Sequence, residues 1–234
     1  MRLDKFIADN SDWSRSDIKR LIKKKRVEID NELVSDSGVK VDPQNVNVAI
    51  DGESLINIGE LYFMLHKPVG YVCANRHSEH PLVMDLLNDL SNQQRNQLQI
   101  VGRLDLDTSG LVLLTNNGQW NHRVTSPNSD CVKYYQVELL YPFDDATTIM
   151  FENGMMLEGE SKITRKACLE KLTENTVRLG ISEGRYHQVK RMFAHTGNAV
   201  TTLHRESVGD IRLDKMLQPG EYRPLTSTEI TSVL

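Results

Sequence analysis

Cysteine is scarce in this sequence. Cys73, Cys131 and Cys168 are the only three in 234 residues, and no two form a Cys-x-x-Cys pair. That argues against a disulfide framework or a cysteine zinc site and leaves isolated buried thiols as the expectation. Among the histidines only His77 and His80 are closely spaced, and no further ligand-type cluster accompanies them. A metal site needs three or four convergent donors, so none is expected. No apolar run approaches the roughly 20 residues that cross a bilayer, and a membrane partner is not expected. The opening Met1-Arg-Leu-Asp-Lys-Phe-Ile-Ala8 lacks the apolar stretch and cleavage site of a secretory leader, so we expect a cytoplasmic protein. P-loop and dinucleotide fingerprints are missing too, as are internal repeats. An overall excess of positive charge is also lacking: the formal net charge is −4.

The distribution of charge says more than its sum. Between Arg15 and Arg26 stand Arg15, Lys19, Arg20, Lys23, Lys24, Lys25 and Arg26, against the single acid Asp17. Solvated helix faces normally mix signs; a concentrated basic segment attracts phosphates even on an acidic protein. Leu3, Phe6 and Ile7 fall on one helical stripe, and Ile18, Leu21 and Ile22 repeat the spacing after Ser14, which stands as an N-cap with Asp17 three residues on. The second helix therefore carries an apolar face beside a basic one. Val27 and Ile29 alternate as a strand, Asp30-Asn31 can turn, and Leu33-Val34 begins the return.

The chain divides near residues 55–61, where Gly59 offers a hinge, giving domains 1–59 and 60–234. The second domain reads as apolar strands joined by glycine-bearing loops. Leu61–Leu65 is strand-like, His66–Gly70 a turn, Leu111–Thr115 a strand and Asn117-Gly118 a turn. Tyr134–Leu140 and Val177–Ile181 alternate, and Tyr186–Thr196 predicts a helix closed by Gly197. The fold class is α+β: a small α/β domain, then a domain built on a mixed, mainly antiparallel sheet flanked by helices.

The segment Gly102-Arg-Leu-Asp-Leu-Asp-Thr-Ser-Gly110 is the most informative stretch. In an extended chain Asp105 and Asp107 point the same way. Paired carboxylates admit acid/base work at a sugar carbon, a metal site, or turn-capping aspartates paired with Arg103. The residues alone leave these open.

Residues 102–115 resemble the signature of pseudouridine synthases, and the resemblance places Asp105 on that family's essential aspartate and Asp107 on a variable position. Lys133-Tyr-Tyr-Gln-Val137 is similar to the family's Lys-x-Tyr-x-Val motif, which puts Tyr135 on its active-site tyrosine. Glu183–Met192 resembles a later motif of the branch acting on ribosomal RNA, implying that Arg185 pairs with Asp105 and that Lys190 and Arg191, with Arg103, meet RNA. His66-Lys-Pro-Val-Gly70 is similar to an early motif, with His66 where asparagine is usual; we read His66 as a packed or capping residue rather than a catalyst. Met1–Ala8, Ser14-Arg15 and Arg26–Leu33 resemble the S4 RNA-binding domain, which implies RNA contacts from Arg15, Lys19, Arg20, Lys23, Lys24 and Arg26.

These resemblances imply an isomerase that breaks the N1–C1′ bond of a uridine, turns the base and rejoins it through C5. No electrons are exchanged, so no cofactor is expected. The base must leave its stack, and Leu104, Leu111 and Leu113 are expected to keep water from it. The implied partner is 16S rRNA, with a uridine-516-type target in a partly assembled small subunit; the oligomeric state has no signal in the sequence, and a monomer is the default expectation. Relatives acting on 23S rRNA often carry basic extensions, whereas Thr226–Leu234 is near neutral. A 23S enzyme and an inactive RNA-binding assembly factor are the alternatives; a glycoside hydrolase lacks a second convincing carboxylate.

Overall fold

A computed structural model describes residues 1–74, 79–126 and 129–233. The chain forms two compact units, Met1–Leu61 with Asp89–Leu98, and Tyr62–Asn88 with Gln99–Leu234.

In the first unit, helices α1 (Leu3–Asp9) and α2 (Arg15–Lys23) pair with each other. Strands β1 (Val27–Ile29), β2 (Glu32–Leu33), β3 (Val48–Ile50) and β4 (Glu53–Ser54) form an antiparallel sheet in the order β2-β1-β3-β4. Both expected apolar stripes are buried: Leu3, Phe6, Ile7, Ile18, Leu21 and Ile22 share one core with Val27, Val48 and Ile50. Each such side chain contributes about 1.5–3 kcal/mol when fully buried. Ser14 caps α2 by accepting from the Asp17 amide (3.2 Å). Asp30 and Asn31 turn with φ of 51° and 69°, the left-handed pair that a two-residue hairpin requires. The buried Asp4 takes the Arg2 guanidinium at 3.0 Å on each oxygen, and these bonds hold its carboxyl below the ordinary range. A short helix, α3 (Asn92–Gln97), belongs to this unit although it lies far along the sequence; Gln97 donates to the Asp9 carbonyl.

The second unit is organised around β7 (Thr108–Thr115). The other strands are β5 (Tyr62–Lys67), β6 (Gln99–Val101), β8 (Lys133–Leu139), β9 (Cys168–Lys171), β10 (Thr176–Ile181), β11 (Val200–Val208), β12 (Ile211–Arg212) and β13 (Tyr222–Pro224). Their order is β13-β5-β7-β11-β8-β10-β9, with β6 paired to β7 and β12 to β11. Among the described strands only β7 and β11 run parallel, so the sheet is mixed and mainly antiparallel. Its helices are α4 (Gly118–Thr125), α5 (Thr148–Asn153), α6 (Gln188–His195) and α7 (Ser227–Thr231).

Strand alternation sorts the side chains between two faces. Met64 and His66 oppose Leu113 and Leu111, and this face packs Trp120 and Val124 of α4. Leu65 and Lys67 oppose Val112 and Gly110 on the other face. Leu111 and Leu113 therefore lie in the core with Trp120, away from the Lys67 face, and cannot wall off a base there. Leu104 is the expected apolar neighbour that stays within the Gly102–Gly110 segment.

Other local expectations shift for physical reasons. The run through His66 and Lys67 stays in β5 because its ladder to β7 continues to Gly110, so the turn starts only at Pro68. The turn expected at Asn117-Gly118 is the entry to α4: the Asn117 side-chain oxygen accepts from the Gln119 and Trp120 amides and caps the helix. The last predicted helix begins at Gln188 rather than Tyr186, because His187 sits at φ 48° in the left-handed region. All three cysteines are unpaired, but only Cys73 is buried; Cys131 is half-buried and Cys168 exposed. His77 of the close histidine pair lies outside the described residues.

Candidate active site

Asp105 stands in the connection between β6 and β7, with its side chain about one-third exposed. Two buried cations fix the path of this connection. Lys67, with no exposed surface, donates from Nζ to the carbonyls of Thr108 (2.6 Å), Asp105 (3.0 Å) and Pro68 (3.1 Å). Burial lowers its pKa, partly opposed by the charges of Cys73, Asp107 and Asp105. Arg205 on β11, 2% exposed, donates from Nε to the Leu111 carbonyl (2.7 Å) and from Nη2 to that of Gly102 (2.7 Å). The two strands approach so closely that a Cβ on Gly110 would stand 2.3 Å from the Arg205 carbonyl oxygen, and Gly110 has φ 109°. These side-chain cations thus supply the hydrogen-bond partners of main-chain oxygens that the loop leaves inside the protein.

The Asp105 carboxylate faces the start of α6. Lys190 Nζ lies 3.5 Å from its Oδ2 and His187 Nε2 lies 3.6 Å from its Oδ1. Lys190 also reaches Asp107 Oδ1 at 2.5 Å. Burial pushes the Asp107 carboxyl up, but the Lys190 hydrogen bond and charge outweigh it and hold it below the ordinary value.

Arg185 does not pair with Asp105, contrary to the expectation. Its guanidinium donates to the carbonyls of Lys162 (2.7 Å) and Ile163 (2.6 Å) and pairs with Glu183 (3.2 Å) and Glu160 (3.6 Å). The left-handed step at His187 starts the helix so that Lys190, in its first turn, is the long cation reaching the carboxylate. Arg191 is likewise engaged within the protein, with Glu160 (3.0 Å) and the carbonyls of Tyr186 (3.1 Å) and Glu158 (2.5 Å). Arg103 is exposed while its carbonyl faces Arg205.

Tyr135 on β8 is 8% exposed and sits opposite Arg205 across the strand pair. It therefore shares the face on which Arg205 and Lys67 hold the loop. Tyr134 points the other way, into a groove of about 690 Å³ on the opposite face that includes His66 and His204. His66 is a packed residue there, with Nδ1 2.7 Å from the Leu217 carbonyl.

In the first unit, Arg15, Lys19, Arg20, Lys23, Lys24 and Arg26 are all exposed. Arg20 pairs with Asp17, and Arg26 Nε with Asp51 at 2.6 Å. Arg15, Lys19, Lys23 and Lys24 have no ion-pair partner among the described residues. These four, with the equally exposed Lys25, are cations of this segment that the fold leaves open to phosphate.

Sequence reasoning missed Lys67 and Arg205 as the holders of the loop, and His187 as a neighbour of Asp105. Lys67 was in plain view in the His66–Gly70 motif. Arg205 had no local signal, since its role depends on the parallel pairing of β11 with β7.

A carboxylate fixed from behind by main-chain anchoring and met in front by two basic side chains suits chemistry in which charge develops on a sugar carbon. Comparison with known proteins defines the class. The RNA pseudouridylate synthase family model matches residues 61–195 and the S4 domain model residues 1–47. The chain belongs to the RNA pseudouridylate synthase family and carries an S4 domain ahead of the synthase domain.

Its relatives narrow the comparison. The chain is 50% identical over 235 residues to ribosomal small subunit pseudouridine synthase A of Escherichia coli strain K12, covering 100% of both chains. It is 49% identical over 234 residues to the protein of that name from Yersinia pestis, covering 100% of this chain and 98% of the relative. A crystal structure described as a pseudouridylate synthase matches with a TM-score of 0.72 at 43% identity, covering 100% of each chain.

Proposed function

We propose that this protein converts one uridine of 16S rRNA, of the uridine-516 type, to pseudouridine during maturation of the small ribosomal subunit. In this reading it acts in the cytoplasm, as a monomer, on a partly assembled particle. The observation that carries the chemistry is the Asp105 carboxylate on an internally anchored loop, 3.5 Å from Lys190 and 3.6 Å from His187. The names of the full-length relatives support the choice of small-subunit RNA.

Asp105 attacks C1′ of the ribose as the N1–C1′ bond breaks and uracil departs with the electron pair. The base turns within the site, C5 displaces the carboxylate from C1′, and the C5 proton leaves while N1 gains one. The product is an isomer and Asp105 returns to its starting state. Tyr135 offers a flat face and a polar tip to the detached base. Lys190 and His187 orient the carboxylate. Arg185 serves the site by bracing the approach to α6. The exposed cations of α2 and its C-terminal end hold RNA through phosphate contacts.

The test is tritium release from 5-tritiated uridine in 16S and 23S RNA, free and in partly assembled subunits. Release from one 16S site supports the proposal. Release only from 23S RNA keeps the chemistry and overturns the substrate, and no release from either overturns the enzymatic reading.

A further inference from the structure

Tyr186 is 75% exposed. Its ring lies on the His187 imidazole with centroids 3.9 Å apart and planes 18° from parallel. His187 Nε2 in turn is 3.6 Å from Asp105 Oδ1. His187 therefore links the carboxylate to an aromatic side chain on a largely exposed residue.

The backbone beneath this stack is braced at each step. The Tyr186 carbonyl accepts from Arg191 Nη1 (3.1 Å) and the His187 carbonyl from the Arg191 amide (3.0 Å). The Arg185 amide donates to Gln188 Oε1 (2.9 Å), and the Arg185 side chain is tied to the carbonyls of residues 162 and 163. His187 holds φ 48°, a region that non-glycine residues occupy where the surroundings impose it, often at functional sites. The braced turn thus holds an exposed aromatic residue against the imidazole that neighbours Asp105.

We propose that the Tyr186–His187 stack is a binding subsite for an RNA base, the neighbour of the nucleotide whose ribose meets Asp105. The proposal rests on the reading of Asp105 as the reacting carboxylate. A target base that leaves its stack uncovers the face of the base beside it, and Tyr186 takes up that face. Aromatic stacking tolerates any base, so the subsite stabilises the opened strand without reading sequence.

The test uses the full chain and a 16S rRNA fragment with 2-aminopurine in turn on each side of the target uridine. Wild type and Tyr186→Phe should quench one neighbour's fluorescence on binding; Tyr186→Ala and Tyr186→Leu should not. KM for the fragment should rise about tenfold or more in Tyr186→Ala and Tyr186→Leu, with kcat changed less than KM, and Tyr186→Phe should restore it. Unchanged KM and quenching in an active Tyr186→Ala enzyme would overturn the subsite and leave the Asp105 reading standing. A fall in kcat alone would also overturn it, by assigning Tyr186 to the carboxylate. A wild-type enzyme inactive on every rRNA would overturn the Asp105 reading itself.

Discussion

Lys67 Nζ donates to the main-chain carbonyl of Asp105 at 3.0 Å, so the buried ammonium holds the residue that carries the carboxylate without touching the carboxylate. The front of Asp105 is left to Lys190 and His187. Anchoring and chemistry are thus assigned to different side chains, and substitutions should separate them.

Lys67→Met should loosen the loop from behind. It strands the Thr108, Asp105 and Pro68 carbonyls, and a buried acceptor left unsatisfied costs about 1–3 kcal/mol. We expect a lower midpoint in urea and faster hydrogen exchange at residues 102–108. An unchanged midpoint with unchanged exchange would contradict the anchoring role.

Lys190→Met and Arg185→Met should fail differently. Losing Lys190 removes the ammonium 3.5 Å from Asp105 and should lower kcat on the order of 100-fold with little loss of stability. Losing Arg185 removes a charged donor from two carbonyls and should cost about 1–3 kcal/mol of stability. Steady-state kinetics and denaturant unfolding on both variants check this; the opposite pattern would restore Arg185 as the partner of Asp105.

Acid should weaken the second unit through its C-terminal segment. Hydrogen bonds from Arg223 pull the Glu229 carboxyl from 4.5 down to about 2. A folded-state value below the unfolded one gives stability that is fully present above pH 4.5 and lost as pH falls toward 2. Glu229→Gln should flatten the fall in thermal midpoint across that window. A variant whose midpoint tracks wild type throughout would show that the pair contributes nothing.

Neutralising Lys19, Lys23 and Lys24 together should weaken RNA binding and flatten its salt dependence. Removing three charges that face phosphate should lower the slope of log K against log salt by about 2–3. The core residues Ile18, Leu21 and Ile22 are untouched, so the thermal midpoint should hold. An unchanged slope would remove these lysines from the interface.

Much of this arrangement was legible in the sequence because it is local. The stripes of α1 and α2, the Ser14 cap, the Asp30-Asn31 turn and the strand at Leu111–Thr115 depend on neighbours a few residues away. The Asp105 loop was legible as a motif. The partner of Asp105 was not, because the choice among Arg185, Lys190 and Arg191 turns on the phase of α6, and the left-handed step at His187 sets that phase. Arg205 was silent for another reason: its guanidinium meets carbonyls about a hundred positions away, across a parallel strand pair that no local pattern marks. The face of the sheet on which Leu111 and Leu113 lie depended on the register of β5 against β7, and was misread for the same reason.

The most direct measurement is tritium release by Asp105→Asn beside wild type on 16S RNA, with unfolding midpoints taken on both. The amide keeps the shape of the side chain and leaves the main-chain bonds from Lys67 and the Thr108 turn in place. The account predicts that release falls to background while the midpoint stays within experimental error. Appreciable release by a folded Asp105→Asn protein would contradict it and move the reaction to another residue.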